Sequence, residues 1–171
     1  MAASAAGSLD GDVGACCDND PVRIRDAGRA IVLDPDDRLL LLRYDDDPPD
    51  GRHWSTPGGG LNPGESFADG AARELAEETG WTDVQIGSQV YEAEFDMDYG
   101  NDDVLRHHWC FFLARVSTRC REVADVDGMH ESDRIAAWRW WPLNELLTTS
   151  EVIRPTGLVA AVADLLRDEP R

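Results

Sequence analysis

Three glutamates, Glu74, Glu77 and Glu78, stand at i, i+3 and i+4 in a stretch with helical character. On a helix these positions share one face. Like charges at that spacing repel, and a divalent cation removes the repulsion. Oxygen-rich carboxylate sites suit Mg²⁺ or Mn²⁺, which take few protein ligands and keep positions open for substrate phosphates. A Glu-rich helical face is commonly a solvated surface, but two nearby features point further. Gly70 interrupts the same helix on the glutamate side, at a cost of about 1 kcal/mol relative to Ala. That cost is accounted for if a backbone segment or a ligand approaches closely there. Upstream, Gly58, Gly59 and Gly60 offer a backbone able to lie near the helix and lend a carbonyl.

The elements that must position these groups are legible in outline. Ser66, with Asp69 three residues on, predicts the helix start, and Gly80 predicts its end. Ala68, Ala71, Ala72 and Leu75 form a small-residue face able to pack on a sheet. Strands are predicted over 25–33, over 38–44 with its four consecutive leucines, into Trp54, and over 84–97, 105–116 and 136–141. Asp34 to Asp37, Asp45 to Gly51 and Asp98 to Asp103 read as turns and loops. A short helix after Pro142 and a final amphipathic helix over 155–167 complete the chain. Residues 1–21 read as a disordered acidic tail and 22–171 as one domain. Strands mixed with three helices make the fold class α/β, a sandwich.

Composition narrows the chemistry. The 171 residues carry 34 acidic and 16 basic side chains, a net charge of −18, and every basic residue is Arg. Without Lys there is no Schiff-base nucleophile and no Walker A lysine. The charge argues against a nucleic acid polymer as partner. It also means that positive charge for a phosphate must come from Arg or a bound cation. The four cysteines, at 16, 17, 110 and 120, show no C-x-x-C spacing, so neither a zinc site nor a disulfide framework is expected. With no secretory leader pattern and no apolar run of membrane length, a cytoplasmic setting away from membranes is expected.

From Gly59 to Trp81 the 23 residues read GGLNPGESFADGAARELAEETGW. This resembles the Nudix hydrolase box, G-x5-E-x7-R-E-U-x-E-E-x-G-U, where U is aliphatic. Gly59, Glu65, Arg73, Glu74, Leu75, Glu77, Glu78 and Gly80 fall in register, and Trp81 departs from the last aliphatic position. That departure bears on packing after the helix, not on metal ligands. The lead-in around Trp54 and the segment 138–146 extend the resemblance over about residues 22 to 167.

The resemblance implies a Nudix-type α/β/α sandwich with a mixed β-sheet. It implies a Mg²⁺-dependent hydrolase, with Mn²⁺ as a substitute, that cleaves a nucleoside diphosphate linked to another moiety. Glu74, Glu77 and Glu78 would hold the metal with the Gly58 carbonyl, and Arg73 would orient Glu74 and Glu65. Family members differ in the general base, so the catalytic set is Arg73, Glu74, Glu77 and, from the loop before the Trp138 strand, Glu131. For Glu131 a solvated acidic loop is an equal reading. Arg43 and Arg52 are candidates for substrate phosphates or base. His107 and His108 should face opposite sides of their strand, as hydrogen-bonded sheet histidines or with one turned to the substrate. Trp138, Trp140 and Trp141 read as core, and Tyr99 as part of an exposed turn. The partner implied is a small nucleotide, with a homodimer open. Two other readings stand: a non-catalytic nucleotide or ADP-ribose sensor of Nudix fold, and a metal-dependent diphosphate isomerase, for which Cys110 sits inside a predicted strand.

Overall fold

The structure is a computed structural model that describes residues 23–100, 103–125 and 128–168. The expected acidic tail, with Cys16, Cys17 and Val22, lies outside the described residues. Strands β1 (Arg23–Leu33) and β2 (Leu39–Asp45) are joined by the acidic turn. There the Asp34 carboxylate accepts from the backbone N–H groups of Asp36 and Arg38 at 2.8 and 3.0 Å, the aspartate turn its residue type favours. Leu39 to Leu42 are all 1% exposed or less, with odd positions in one apolar cluster and even positions in another. The four leucines are thus buried on both faces, as their run demands.

The chain continues through β3 (Arg52–Ser55), β4 (Gly58–Gly60) and α1 (Phe67–Thr79). The long hairpin of β5 (Ile86–Asp98) and β6 (Val104–Arg115) follows, then α2 (Met129–Ser132), β7 (Ile135–Trp141), α3 (Leu143–Leu146) and α4 (Leu158–Asp168). Two elements differ from expectation. Gly58–Gly60, expected to end a strand, pairs with β1 as a strand of its own. The segment before β7, expected as a loop, contains the single turn α2.

The sheet is mixed. β1 runs parallel to β6 along eleven residue pairs, and the other pairings are antiparallel. β1 meets β2 at Leu33 and Leu39, then takes β4 between Ala27 and Arg29. The two strands therefore separate toward one end. Helices cover both faces. Ala71 and Leu75 of α1 pack with Ala30, Val32, Cys110 and Phe112, whereas Leu158 and Val162 of α4 pack with Ile31, Leu33 and Phe111. A Cβ at Gly28 would lie 2.7 Å from the Ala71 backbone nitrogen, so glycine lets α1 rest on the strand. Trp81 is 4% exposed, stacks on Trp140 at 6.0 Å and donates from Nε1 to the Glu122 carbonyl. Its departure from the aliphatic pattern is a matter of packing. Among the described residues no helix is long and apolar enough to cross a membrane.

Candidate active site

Helix α1 begins and ends where its sequence signals stand. Ser66 Oγ accepts from the Asp69 N–H at 3.1 Å, and Gly80 closes the helix at φ 75°. The two caps set which residues turn toward β4. Glu74 lies against Gly59, where an added Cβ would fall 2.5 Å from its carboxylate. Glu78 is 2% exposed, and its carboxylate accepts from Tyr44 Oη at 2.8 Å and from the Gly58 N–H at 2.7 Å. Gly70 does meet a close neighbour: a Cβ there would collide with the Leu61 side chain and come within 3.3 Å of Glu65.

Arg73 ties the acidic groups together. Its guanidinium donates to both oxygens of Glu65 at 2.9 and 3.0 Å, to Glu74 at 2.8 Å, to Glu77 at 3.0 Å and to the Gly60 carbonyl at 3.0 Å. A planar fork suits such divided bonding. The Arg73 bonds hold Glu65 down to about 2. Glu78, Glu74 and Asp133 go the other way. Burial pushes Glu78 up to about 8, against the pull of Arg29, Tyr44 and Gly58. Burial also raises Glu74, with the charges of Glu77 and Asp133 adding and Arg73 opposing, and it raises Asp133, with Glu77 adding. Buried and crowded carboxylates that resist their own charge, with Glu78 bonded only to neutral donors, are a donor set that a hard divalent cation fits.

A cavity of about 530 Å³ opens beside these groups, walled by β1, β4, the end of β2, the loop after it, and residues 132–134. Six carboxylates line it (Asp46, Asp47, Asp50, Glu74, Glu78, Asp133) against three guanidiniums (Arg25, Arg29, Arg134). Arg29 is 5% exposed, lies 4.3 Å over the Trp109 ring and donates to the Thr56 carbonyl at 2.6 Å. His53 stacks on Tyr44 at 5.5 Å, and burial lowers its pKa. Burial and the Arg25 charge lower His107 as well, so both rings favour the neutral form. Tyr99 also lines the cavity, its hydroxyl 3.2 Å from Asp50 and 3.4 Å from His107.

Several expected site residues lie elsewhere. Arg43 is not among the cavity-lining residues and pairs with Asp45 at 3.4 Å. Its neighbour Tyr44 is the one turned inward, and strand alternation sends Arg43 to the other side. Arg52 is an exposed side chain bonded to Asp45 at 3.1 Å. The cationic lining comes instead from Arg134 and from Arg25 and Arg29, same-face positions of β1, and for the latter two a basic alternation on that strand was the available signal. Glu131 is exposed on α2 and outside the lining, whereas Asp133, two residues on, lines the cavity. Glu77 is held by Arg73 outside the lining. Gly58 meets Glu78 through its N–H. His107 and His108 face opposite sides, with His107 at the cavity. Trp140 and Trp141 are core, and Trp138 packs half-buried beside them.

A family model described as the NUDIX domain matches residues 23–161. The chain belongs to this family. It is 42% identical over 136 residues to an RNA pyrophosphohydrolase of Caulobacter vibrioides, covering 73% of this chain and 74% of that one. It is 33% identical over 106 residues to an RNA pyrophosphohydrolase of Erythrobacter litoralis, covering 54% of this chain and 61% of that one. Of a Bacillus subtilis relative the chain spans 32%. Among solved structures, the MutT protein of Methanosarcina mazei Go1 superposes with a TM-score of 0.67 at 20% identity, covering 88% of this chain and 99% of that one. A C. elegans Ap4A hydrolase superposes at 0.62 with 19% identity, covering 84% and 98%. These likenesses show the Nudix fold, the α/β/α sandwich on a mixed sheet.

Proposed function

We propose that this Nudix chain is a Mg²⁺-dependent pyrophosphohydrolase that cleaves the diphosphate linkage of a nucleoside diphosphate joined to another moiety. The observation that carries the reading is the cavity's charge: six carboxylates and three guanidiniums line it. Such a wall rejects a polyphosphate unless cations stand between. Glu74 and Glu78, with Glu77 at the edge and the Gly58 backbone beside them, are the residues that would hold Mg²⁺. When bound, Mg²⁺ supplies neutralisation of phosphate charge and a bound water of lowered pKa.

The chain's own groups supply the rest. Arg73 holds Glu74 and Glu77 in a fixed arrangement. Tyr44 and the Gly58 N–H orient the buried Glu78 carboxylate. Arg25 and Arg29 carry the positive charge available to phosphate oxygens, and Arg29 is locked by Trp109 beneath it. Asp133, whose charge is coupled to those of Glu74 and Glu77, takes the place of Glu131 as a carboxylate outside the helix available to take a proton from water.

Several relatives are named RNA pyrophosphohydrolase. A 5′-triphosphate end presents the same linkage, whereas the net charge of −18 disfavours grip along an RNA backbone. The substrate class proposed is therefore small nucleotides. The test is product identification across dinucleoside polyphosphates, nucleoside triphosphates, nucleotide sugars, ADP-ribose and 5′-triphosphorylated RNA, with Mg²⁺ present and chelated. Glu78→Gln should keep the fold and lose turnover by at least about a hundredfold, because several kcal/mol of charge stabilisation depends on the cation it helps hold. Undiminished turnover would overturn the site assignment. Tight nucleotide binding without turnover in Mg²⁺ or Mn²⁺ would identify a sensor instead.

A further inference from the structure

Away from the cavity, on the other side of β6, strand register gathers a second set of metal-ligating side chains. His108 and Cys110 are two residues apart on β6 and so point to one face. Glu92 of β5 stands opposite Cys110, and Asp26 of β1 stands opposite His108. His108 Nε2 lies 2.8 Å from Glu92 Oε1 and 3.7 Å from Cys110 Sγ, while Nδ1 lies 2.9 Å from Asp26 Oδ1. The three donor atoms of Glu92, His108 and Cys110 all fall within 4.8 Å of one another. None of these residues lines the cavity.

We propose that Glu92, His108 and Cys110 form a second metal site, one for a zinc-type divalent cation, with Asp26 orienting the imidazole. The donor set carries the choice of ion. A thiolate, an imidazole and a carboxylate suit Zn²⁺, whereas Mg²⁺ takes oxygen ligands alone. The spacing agrees. Tetrahedral zinc with its usual bond lengths sets sulfur and nitrogen about 3.6 Å apart and nitrogen and oxygen about 3.4 Å apart. The sulfur is in place, and Glu92 needs to withdraw by about half an ångström to admit the ion. Asp26 completes the carboxylate–histidine arrangement that fixes which ring nitrogen faces a metal. Cys110 is 4% exposed and Glu92 is exposed, so the thiol closes the site from within and the fourth position faces solvent. Phe67, the first residue of α1, walls the ring edge-on at 5.0 Å. The ion would therefore join β1, β5 and β6 beneath the first turn of the helix that bears Glu74, Glu77 and Glu78.

The rival occupant of this space is a proton: a doubly protonated His108 bridging Glu92 and Asp26 needs no metal. Cobalt(II) separates the two, because a thiolate ligand gives it a near-ultraviolet charge-transfer band that carboxylate sites cannot produce. The 171-residue chain would carry Cys16→Ser, Cys17→Ser and Cys120→Ser and be titrated with Co²⁺ in excess Mg²⁺. The expected result is a band saturating at one equivalent and abolished by Zn²⁺. It should be absent in Cys110→Ser, and half-saturation should rise about 10–100-fold in Asp26→Asn. Glu92→Gln, at an exposed position, keeps the thiolate and its band but should raise half-saturation about 10–100-fold, and it tests the site if Cys110→Ser does not fold. Absence of the band would overturn the proposal. So would a band of unchanged affinity in His108→Gln. Mg²⁺-dependent hydrolysis, followed in the same variants, should stay as in the parent, so the two sites fail or stand independently.

Discussion

Arg73 is the residue on which the geometry of the acidic cluster turns, and its replacement gives a worked magnitude. The side chain is 26% exposed and makes a two-pronged bond to Glu65, single bonds to Glu74 and Glu77, and one to the Gly60 carbonyl. Glu77 is 40% exposed, so its i, i+4 pair contributes only about 0.3–0.5 kcal/mol. The Glu65 fork and the Glu74 bond are better shielded, and each contributes about 1 kcal/mol after discounting for solvent. Arg73→Ala should therefore cost about 2–3 kcal/mol. In a chain of this size that lowers Tm by about 5–10 °C. Arg73→Lys keeps the charge but has no fork, and should lose about half as much. Freed of Arg73, Glu74 and Glu77 lose their fixed arrangement, so the Mg²⁺ concentration for half-maximal turnover should rise about tenfold or more. Thermal melts and a Mg²⁺ titration of hydrolysis measure both effects. An Arg73→Ala protein melting within about 1 °C of the parent, with an unchanged Mg²⁺ requirement, would refute the reasoning and make the web an ordinary surface ion pair.

Glu65 supplies a pH signature. Its folded pKa is depressed to about 2 from 4.5 by the Arg73 bonds. The stability it contributes is thus fully present above about pH 4.5 and is lost as pH falls toward 2. Melting curves of the parent and Glu65→Gln should differ at neutral pH and converge below that window; a constant difference down to pH 2 would contradict the assignment. Trp81→Leu restores the usual residue type after the helix but empties space against Trp140. It should cost about 2–3 kcal/mol in chemical denaturation while leaving turnover unchanged, and a loss of turnover would show that this position reaches the site after all.

Local signals carried the helix and its chemistry. Ser66, Gly80 and the glutamate spacing depend on contacts within a few residues, so the chain alone determines which carboxylates share a face and where α1 stops. The leucine run of β2 is similar, because hydrophobicity on both faces has one reading whatever the neighbours. Residues outside the helix were decided by tertiary structure. Arg43, not Arg25 or Arg29, lies near the motif in sequence. Which strand turns its arginines inward depends on β1 leaving β2 for β4, a pairing that no local pattern encodes. Asp133, just past the end of α2, is set apart from Glu131 in the same way, since two residues on a helical path turn by about 200° rather than a full turn. The second metal site is the clearest case. Asp26, Glu92, His108 and Cys110 carry no ligand spacing along the chain, and only the parallel register of β1 with β6 and the antiparallel register of β5 bring them together. Short-range order is written in neighbouring residues; long-range register is set by the whole sheet closing around its core.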